Sequence, residues 1–554
     1  MIKSEVTMKG SELILDCLEK EGVDTVFGYP GGSVIPLFDA LYDNKNIKVY
    51  RPCHEQGGSH AADGYARATG KPGVLIVTSG PGVTNAVTGI ATAFLDSIPM
   101  VIITGQVGKN LLGRTSFQEV DTTGITMPIT KHNIQVTEPS QIQAAMKLAF
   151  QVAKNGRPGP VVVDVTKNAF MEEAVYEEYT PSAMIKDERA GEYLTEIKQA
   201  AQALKNAKNP VIYAGGGVLK SKASMKLRQL AETCNIPVTN SIMGLGSFNR
   251  KSDLSYGIVG MHGDKETNLL VYHSDCVLGL GVRFSDRAIG HRTGFSPNAV
   301  IIQVDTDETE FDKNVDTDIK ILGDMNDVLD ILMAELAGVR FEDRKYHSKS
   351  LELESGFLPA VVLDTLQNHF PEGTIVATDV GQHQMWTVRN WMFTHPDTLI
   401  TSGGLGTMGF GVGAAIGAKL GKPDRPVILI TGDGSFRMNH MELLTARKHD
   451  LDLTIVLFNN HTLGMVRQWQ NVFNEKRYAD TDLYDTLDLT LLCQAYGVNY
   501  AGAFQDKRSL LKLLDEKDVF KGINVLEFQL DHDVNVTPMV ASGKAINDLI
   551  EKID

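Results

Sequence analysis

The chain has 554 residues, of which 43% are hydrophobic and 22% are charged, and its formal net charge is −15. This length exceeds what a single hydrophobic core accommodates, so we expect several domains of ordinary globular composition. The acidic balance argues against nucleic acid or an anionic membrane surface as the main partner, because both require a basic protein surface.

The N-terminus and the cysteines indicate the compartment. The first twenty residues lack a signal-peptide core and resemble the start of an amphipathic helix, and no apolar run reaches membrane-spanning length. The five cysteines are scattered without a CxxC pair, which predicts neither a zinc site nor a disulfide framework. We therefore expect a protein of the reducing cytoplasm.

Strand-like apolar runs alternate with helix-like stretches along almost the whole chain, which predicts α/β domains built on doubly wound parallel sheets. The nine clearest runs are residues 74–80, 100–106, 160–166, 209–217, 275–281, 299–305, 373–381, 426–434 and 453–460. Two polar, acidic stretches, 171–191 and 338–357, interrupt the pattern and are interpreted as linkers. They divide the chain into three domains of similar size, 1–180, 190–340 and 358–554.

The third domain contains a motif that places polar groups at strand ends. Gly432-Asp433-Gly434 follows a buried strand-like run, a helix is predicted over about 438–449, and the next run ends in Asn459-Asn460. Neighbouring strands of a right-handed βαβ unit end at the same edge of a sheet, so Asp433 and Asn460 can converge. A carboxylate and an amide oxygen suit Mg²⁺, and the following helix N-terminus offers N–H groups to phosphate oxygens. Either half of the motif alone would indicate only a tight turn or a capped strand end.

The combination of Gly432-Asp433-Gly434 with Asn459-Asn460 resembles the signature of thiamine-diphosphate enzymes, which include decarboxylases and carboligases. The resemblance implies that Asp433, the Asn460 side chain and the backbone carbonyl of Thr462 bind Mg²⁺, which in turn holds the diphosphate. The cofactor also needs a carboxylate against its aminopyrimidine ring, because that carboxylate favours the tautomer that takes the proton from the thiazolium C2. Glu55 in the N-terminal sequence HEQGG is the candidate, since a glutamate buried beside an apolar ring has the raised pKa that proton sharing requires.

The sequence HEQGG allows two interpretations. Gly57 and Gly58 would let the cofactor ring approach closely. The alternative is an ordinary glutamate at a helix start, stabilised by the helix dipole, and this would be preferred for the motif alone. Because the two motifs lie in the first and third domains, we expect the active site at a domain interface.

The chain as a whole resembles the large catalytic subunit of acetolactate synthase (acetohydroxyacid synthase). The similarity runs from about residue 8 to residue 545, and its motifs occur in order: FGYPGGSVIPLFDAL, HEQGG, TSGPGVTN, SFQEVDTTGITMPITKHN, RPGPVVVDVTK, MGLGSF, GMHG, VGQHQMW, TSGGLGTMGFG and GMVRQWQ. The resemblance implies decarboxylation of pyruvate and ligation of the two-carbon unit to a second pyruvate or to 2-ketobutyrate, in branched-chain amino acid biosynthesis. It also implies a homodimer or tetramer with active sites between subunits, and allows for a small regulatory subunit.

The same resemblance assigns site residues. Catalytic or substrate-side roles fall to Glu55, Phe117, Gln118 and Lys167. Met465, Val466 and Trp469 correspond to the pocket for the second ketoacid, with Trp469 favouring 2-ketobutyrate. Gln382 and His383 would donate to the diphosphate. Met408 would wedge the cofactor into its bent shape, and Gly406 would offer its carbonyl to the 4′-amino group. The further thiamine diphosphate contacts are Tyr29, Gly31, Gly32, Pro81, Asn85, Val380, Gly381, Gly432, Gly434, Ser435 and Met465.

Several of these residues also have a structural interpretation. His383 could be a buried structural histidine, and Met408 could simply fill the core. Lys167 follows the run 160–166 and could attract a carboxylate, although a lysine there is usually a solvated strand end. The helix that carries Trp469 could merely face the core.

The middle domain resembles the FAD-binding domain of the family. Glycines at strand ends suit a pyrophosphate and an acid at a strand end suits a ribose. The resemblance implies flavin contacts at Arg157, Gly215, Gly216, Gly217, Met243, Gly260, Met261, His262, Gly281, Arg283, Asp286, Arg287, Asp305 and Asp324. FAD would be structural, because the carboligation has no net redox step. A vestigial dinucleotide fold that binds nothing is the alternative.

The chain departs from the usual motifs of the family at four positions, one of which, Gly108, leaves substrate access, ketoacid preference and inhibitor sensitivity open. Cys53 replaces an arginine before HEQGG, Gly108 a proline after GQV, and Ser285 the first aspartate of RFDDR. Gly413 ends a segment in which the family usually has GFGLP. Of these, Gly108 lies near the expected substrate channel.

Four other functions are alternatives to this one. Glyoxylate carboligase is similar but lacks the glutamate that stands here as Glu55. Pyruvate oxidase shares the three-domain plan and FAD, whereas QWQ and the SFQE region favour the synthase. A fermentative, FAD-independent acetolactate synthase is the closest rival, and RFSDR in the middle domain argues against it. An inactive regulatory homologue is the non-enzyme alternative, and the presence of Glu55, Asp433 and Asn460 argues against it.

Overall fold

The computed structural model describes residues 6–342, 358–484, 487–516 and 518–553. These residues contain three parallel, six-stranded sheets, each with a hydrophobic cluster on both faces. In the strand Gly73–Val77, for example, Val74 and Ile76 pack into one cluster while Leu75 and Val77 pack into the other. Sheets buried on both faces produce continuous apolar runs, so the predicted doubly wound α/β architecture is confirmed.

The first sheet belongs to the N-terminal part of the chain. In spatial order its strands are Lys48–Tyr50, Thr25–Gly28, Gly73–Val77, Met100–Gln106, Pro160–Thr166 and His132–Val136. Its helices are Gly10–Lys20, Ile35–Asp43, Glu55–Thr69, Pro81–Leu95, Thr122–Thr126, Ile142–Lys154 and Lys167–Met171, with 3₁₀ turns at Lys109–Leu111, Met127–Ile129 and Pro139–Gln141.

The expectation of a helix from the first residues onward is wrong in part. A short strand, Thr7–Lys9, pairs antiparallel with Glu173–Val175, and the helix begins only at Gly10. The backbone hydrogen bonds of residues 7–9 are therefore made to the other end of the domain, a contact that helical periodicity does not reveal. The partner strand lies inside the predicted linker 171–191, and residues 1–5 lie outside the described part of the chain.

The middle sheet is built on the same plan. Its strands lie in the order Ser255–Ile258, Val238–Asn240, Pro210–Ala214, Cys276–Leu280, Val300–Asp305 and Ile319–Leu322. Its helices are Leu194–Asn206, Gly216–Lys220, Ser224–Cys234, Lys265–Tyr272, Asp286–Ile289 and Met325–Glu335, with 3₁₀ turns at Arg189–Tyr193, Ile242–Gly244 and Glu308–Glu310. Most of the second predicted linker, residues 343–357, lies outside the described part of the chain.

The third sheet has the strand order Leu399–Ile400, Ile375–Thr378, Val427–Gly432, Leu453–Asn459, Ile523–Gln529 and Asn499–Phe504. Its helices are Pro359–His369, Gln382–Asn390, Gly411–Gly421, Asp433–Asn439, Leu443–Lys448, Gly464–Phe473, Leu489–Tyr496 and Lys507–Glu516. The predicted helix 438–449 is corrected, because helix begins directly at Asp433 and a 3₁₀ turn, His440–Glu442, separates the two helical pieces.

The first and third domains meet through two closely packed helices, Glu55–Thr69 and Gly411–Gly421. Glycines permit this approach. A Cβ on Gly64 would overlap the carbonyl of Ala414, and a Cβ on Gly417 would overlap the carbonyl of Ala61. The contact therefore excludes any larger side chain at these positions.

The C-terminal segment crosses from the third domain to the middle one. Val540 donates a backbone hydrogen bond to the carbonyl of Met261 at 2.8 Å, and Ile546 is buried in a cluster of middle-domain residues. Two short antiparallel strands, Met539–Val540 and Leu549–Ile550, fix the segment there. No helix among the described residues is both long and apolar enough to cross a membrane.

Candidate active site

Asp433 and Asn460 lie at the same edge of the third sheet, as the sequence predicts. The strands that precede them are parallel neighbours, with Gly432 opposite Phe458. Asp433 is 9% exposed, and its Oδ2 is buried without a hydrogen-bond partner among the described residues. Burial raises the pKa of this carboxyl to about 6. Such a buried oxygen is suited to a cation, which would supply the missing partner.

Gln382 orients Asn460 in this structure. Asn460 donates from Nδ2 to Gln382 Oε1 at 3.1 Å, and within the described parts of the chain its Oδ1 accepts no hydrogen bond and can face a cation. Gln382 itself donates from Nε2 to Gln468 Oε1 at 2.9 Å and to the carbonyl of Val534 at 3.0 Å. The expectation that the Gln382 amide donates to a diphosphate is corrected, because both of its hydrogens are already bonded within the chain.

His383 is buried beside the glycines of this edge. A Cβ on Gly432 would lie 2.8 Å from its Nδ1, and one on Gly381 would lie 2.9 Å from its Cε1. Burial lowers the pKa of the imidazole to about 3, so the ring is neutral at physiological pH. Its Nε2 has no hydrogen-bond partner among the described residues, and it can donate to an anionic ligand in the tautomer that carries the ring proton on Nε2.

Asp379 organises the glycine-rich loop that precedes the helix Gly411–Gly421, a role that the sequence pattern did not indicate. Its buried carboxylate accepts backbone N–H bonds from Gly409 at 2.8 Å and from Gly411 at 3.3 Å, and burial raises its pKa to about 6. The loop carries Gly406, which has a φ of +71°, and Met408, whose Cε lies 3.7 Å from a Cβ built on Gly434. The signal available was an aspartate directly after the apolar run 373–378.

Ser435 and Val380 join the two neighbouring strand ends of this edge. The Ser435 hydroxyl donates to the carbonyl of Val380 at 2.8 Å. The Asn459 side chain holds the loop that follows it. Its Oδ1 accepts from the backbone N–H of His461 at 3.2 Å, and its Nδ2 donates to Glu527 Oε1 at 2.6 Å.

This loop explains how Thr462 can present its carbonyl. His461 has a φ of +53°, a left-handed conformation that the Asn459 bond stabilises. Thr462 is buried and donates from its hydroxyl to the carbonyl of Thr481 at 2.9 Å. The side chain of Thr462 is therefore bonded within the chain, and the turn before it sets the direction of its backbone.

Glu55 begins its helix at the carboxyl edge of the first sheet. It is 9% exposed, and its Oε2 accepts a hydrogen bond from Asn85 Nδ2 at 3.0 Å. The expectation that Gly57 and Gly58 admit the cofactor ring is wrong. A Cβ on Gly57 would overlap the Glu442 carboxylate, and a Cβ on Gly58 would lie 2.8 Å from Pro52. Both glycines serve packing within the chain.

The other first-domain candidates lie at ends of strands in the same sheet. Tyr29 and Gly31 follow the strand Thr25–Gly28, and Gly31 packs on Thr78. Gly32 faces open space, since nothing lies within 4 Å of a Cβ built at this position. Pro81 starts the helix that carries Asn85.

Phe117, Gln118 and Lys167 complete this edge. Phe117 is 88% exposed and Lys167 is also exposed. Gln118 has a φ of +59° and packs on Gly80, so its backbone is strained for a residue with a side chain. Among the described residues, no hydrogen bond or ion pair joins Glu55, Gln118 or Lys167 to Asp433, Asn460 or Trp469.

Trp469 meets the middle domain through Arg287. The Arg287 guanidinium lies 5.2 Å from the centre of the Trp469 ring, and Arg287 Nη1 is 3.6 Å from the sulfur of Met261. Trp469 Nε1 is buried without a partner among the described residues, while Val466, on the same helix, is 49% exposed. Met465 packs against a core cluster of the third domain. The structure thus joins a residue assigned to the flavin with one assigned to the ketoacid pocket.

The glycines of the middle domain are explained mainly by close packing. A Cβ on Gly215 would overlap the carbonyl of Gly281, and one on Gly217 would lie 2.6 Å from the Cα of Gly281. We expected Gly215 and Gly217 to make room for a pyrophosphate. This expectation is corrected, because each of these glycines packs against the strand-end loop that contains Gly281. Gly216 faces Met243, because a Cβ built on Gly216 would lie 3.3 Å from the Cβ of Met243.

Acidic residues at this edge have different roles. Asp305 accepts backbone N–H bonds at its Oδ1 from Thr306 at 2.8 Å and from Asp307 at 3.0 Å, and burial raises its pKa to about 6. Asp324 caps the helix Met325–Glu335 through the backbone N–H of Asn326 at 2.8 Å, so its carboxylate is engaged in capping. Asp286 has an exposed side chain.

Two arginines assigned to the flavin connect the first and middle domains. Arg157 donates to Ser97 at 2.8 Å and to Glu310 at 2.5 Å. Arg283 donates to the carbonyl of Leu95 at 2.9 Å. Their guanidinium groups therefore already support the domain contact.

The remaining middle-domain candidates lie near the strand Ser255–Ile258. Gly260 has a φ of +111° and is held on both sides by the Asn268 amide, at 2.8 and 3.0 Å. Burial lowers the pKa of His262 to about 3, and its Nδ1 has no partner among the described residues. His262 therefore retains a buried polar atom that a ligand could satisfy. The described residues contain no cluster of three or more His, Cys, Asp or Glu side chains suited to a metal.

Three family models match the chain in order. They describe the thiamine pyrophosphate enzyme N-terminal TPP binding domain (residues 8–125), its central domain (197–332) and its C-terminal TPP binding domain (379–525). Full-length relatives are also similar. The acetolactate synthase isozyme 2 large subunit of Escherichia coli is 40% identical over 99% of this chain and 100% of its own length. The large subunits of Haemophilus influenzae (40%; 98% of each chain) and Lactococcus lactis (39%; 99% of this chain, 97% of its own) match comparably.

Proposed function

The chain belongs to the acetolactate synthase large subunits of the thiamine pyrophosphate enzyme family, and on that premise we propose the reaction that it catalyses. It decarboxylates pyruvate and ligates the two-carbon unit to a second pyruvate, giving 2-acetolactate, or to 2-ketobutyrate, giving 2-aceto-2-hydroxybutyrate. These products lead to the branched-chain amino acids. The observation that carries the proposal is the pair of sheet edges, one with Glu55 bonded to Asn85 and one with the unpartnered Asp433 Oδ2.

The third-domain edge fits a diphosphate bound through Mg²⁺. Asp433 offers an unpartnered, buried carboxylate oxygen, and Asn460 keeps its Oδ1 free because its Nδ2 is bonded to Gln382. His383 adds a buried, unpartnered Nε2 beside the same glycines. One anionic oxygen, one amide oxygen and a backbone carbonyl at Thr462 are the hard ligands that Mg²⁺ prefers.

The first-domain edge supplies the acid–base group. Thiamine diphosphate, when bound, supplies a carbanion at its thiazolium C2 and the electron sink for decarboxylation. Glu55 holds and exchanges a proton at the aminopyrimidine ring, and its bond from Asn85 fixes the direction of the carboxylate. Glu55 is nearly buried, which limits the access of water to its carboxylate.

Substrate selection falls to residues at the rim. Trp469 and Val466 border the second-ketoacid pocket, and the cationic Arg287 beside Trp469 favours a carboxylate there. Lys167 and Gln118, at the first-domain edge, face the 2-ketoacid from the other side in this proposal. Lys167 is exposed and makes no hydrogen bond or ion pair among the described residues, so its ammonium is available to a carboxylate.

The cofactor set includes FAD in the middle domain. Asp305 at a strand end and the unpartnered Nδ1 of His262 support this assignment, although Gly215, Gly217 and Asp324 are engaged within the chain. The flavin is structural in this proposal, since the ligation is redox-neutral.

The active unit is a dimer or a tetramer of this catalytic subunit, and the assembly allows for a small regulatory subunit. The absence of any polar bond between Glu55 and Asp433 within the described chain supports active sites shared between subunits. Gel filtration with static light scattering measures the assembly directly, and a catalytically active monomer would contradict it.

The function is tested by measuring acetolactate formation from pyruvate with Mg²⁺ and thiamine diphosphate, on flavin-stripped protein with and without added FAD. Product that requires FAD supports the whole proposal. Product without FAD keeps the ligation and removes the flavin assignment. Hydrogen peroxide as the product would instead indicate an oxidase, and failure to form acetolactate with all cofactors present would contradict the proposal.

A further inference from the structure

Glu442 is a buried carboxylate that joins the third domain to the turn before Glu55. Its Oε1 accepts the backbone N–H of His54 at 3.0 Å, and its Oε2 accepts the backbone N–H of Cys53 at 3.0 Å. The hydroxyl of Thr445 donates to the same Oε2 at 2.7 Å. Only 1% of Glu442 is exposed, so its carboxylate is shielded from water.

The bonded N–H groups are the two that precede the helix carrying Glu55. His54 is the N-cap, and its Nδ1 accepts from the backbone N–H of Gln56 at 3.1 Å. Glu442 therefore fixes the two peptide planes that determine where the helix begins and in which direction the Glu55 side chain leaves it. The close fit at Gly57, where any Cβ would overlap the Glu442 carboxylate, prevents the turn from shifting.

The charge of Glu442 suits this role. Charge-assisted bonds from backbone N–H groups are stronger than neutral ones, and here a single carboxylate provides acceptors for two of them. No arginine or lysine is hydrogen-bonded to Glu442 among the described residues. The cost of burying the charge is thus met by the N–H groups next to Glu55 and by Thr445 rather than by a counter-ion.

We propose that Glu442 is a positioning residue for Glu55: it holds the Cys53–His54 turn so that the Glu55 carboxylate keeps the geometry needed for proton exchange with the aminopyrimidine ring. This inference rests on the proposed function of Glu55. Glu442 lies in the 3₁₀ turn His440–Glu442, so in this proposal a third-domain turn supports the chemistry of Glu55.

The test variant is Glu442→Gln. Glutamine has nearly the same volume and keeps one acceptor, but its NH₂ group opposes one backbone N–H donor. The matched control is Glu21→Gln. Glu21 also has a buried carboxylate, and it accepts from the backbone N–H and hydroxyl of Ser182, from Tyr179 and from Lys154, none of which belongs to the turn before Glu55. Both variants should lose stability.

The first readout needs no bound cofactor. Amide hydrogen–deuterium exchange of the apoprotein, followed by mass spectrometry, should show faster exchange in peptides covering Cys53 and His54 for Glu442→Gln only. Exchange in those peptides that matches wild type and Glu21→Gln would overturn the proposed bonding role.

The second readout is the exchange rate of the thiazolium C2 proton, measured by NMR after acid quench at saturating thiamine diphosphate and Mg²⁺. Glu442→Gln should slow this exchange by about tenfold or more, while cofactor affinity changes by less than about threefold. In a Glu55→Gln background the same substitution should have no further effect, because it acts through Glu55. An equal loss in both backgrounds would mean a general structural role and overturn the proposal. If wild type itself does not accelerate the exchange, the proposed function of Glu55 fails first.

Discussion

The guanidinium of Arg287 lies over the indole of Trp469, 5.2 Å from the ring centre, and joins the middle domain to the helix that we propose borders the ketoacid pocket. A cation over an indole face is stabilised by about 0.5–2 kcal/mol. The indole Nε1 is buried without a partner among the described residues, so this contact is the main polar constraint on the ring.

Replacing Arg287 should therefore alter substrate preference. In Arg287→Gln, the freed Trp469 ring should lower the preference for 2-ketobutyrate over pyruvate as second substrate by about threefold to tenfold. The measurement is the product ratio when both ketoacids compete. Arg292→Gln is the control, since Arg292 is paired with Asp316 at the surface. An unchanged ratio in Arg287→Gln would show that Trp469 is held in place by other contacts.

Removing the anionic ligand at the third-domain edge should abolish metal-dependent cofactor binding. Asp433→Asn should weaken thiamine diphosphate binding in the presence of Mg²⁺ by about 100-fold or more, as measured by calorimetry. Chelation of Mg²⁺ should weaken binding to wild type to a similar extent and change Asp433→Asn little. Asp424→Asn, at an exposed surface position, serves as the control. Equal Mg²⁺ dependence in Asp433→Asn and wild type would exclude Asp433 as a ligand.

The raised pKa of Asp305 predicts that this residue lowers the folding stability of the apoprotein in a pH-dependent way. Its folded-state pKa of about 6 exceeds the ordinary value of 3.8, so stability from this group is present below about pH 4 and lost as pH rises through 6. The loss at neutral pH is on the order of 1–3 kcal/mol. Asp305→Asn keeps the Oδ1 that accepts both backbone N–H bonds.

We therefore expect Asp305→Asn apoprotein to melt at a higher temperature than wild type at pH 7.5, with the difference vanishing near pH 4. Differential scanning calorimetry of flavin-free protein measures this. If Asp305 binds the flavin ribose, the same variant should also bind FAD more weakly. A melting temperature lowered at both pH values would mean that the Asp305 charge is stabilised by the fold.

The helix contact between the first and third domains should not tolerate a methyl group. Gly417→Ala places a Cβ into the carbonyl of Ala61, and overpacking of this kind costs about 1–3 kcal/mol or more. Gly191→Ala is the control, because nothing lies within 4 Å of a Cβ at that position. We expect a lowered melting temperature and reduced soluble yield for Gly417→Ala alone. Equal melting temperatures would indicate that the helices can separate without cost.

The sequence predicted the inner half of each sheet. All nine predicted apolar runs are strands, and in each sheet the three that were predicted lie next to one another. The remaining strands are shorter, partly exposed, or interrupted by polar residues. Lys48–Tyr50 and His132–Val136 lie at sheet edges with exposed positions, and Ile523–Gln529 carries Asn524 and Glu527 within a buried strand. Their pairing depends on tertiary contacts, which apolar runs do not encode.

The sequence also predicted the edge positions of the site but not what supports them. Position at a strand end was enough to find Asp433 and Asn460, whereas Glu55 was identified from the HEQGG sequence through the family resemblance. Asp379, Glu442 and Glu527 were missed because each acts through hydrogen bonds to other loops, and Glu442 reaches a residue 388 positions away. Glycine was interpreted too readily as room for a ligand: at Gly57, Gly58, Gly215 and Gly217 the neighbour is another part of the chain.

The most direct test of the central claim follows ¹³C-labelled pyruvate by NMR in the presence of Mg²⁺, thiamine diphosphate and FAD, with wild type and Glu55→Gln side by side. The account predicts labelled acetolactate and carbon dioxide from wild type, and a loss of rate of about 100-fold or more in Glu55→Gln. Acetolactate formed equally fast by Glu55→Gln, or no ligation product from wild type, would contradict it.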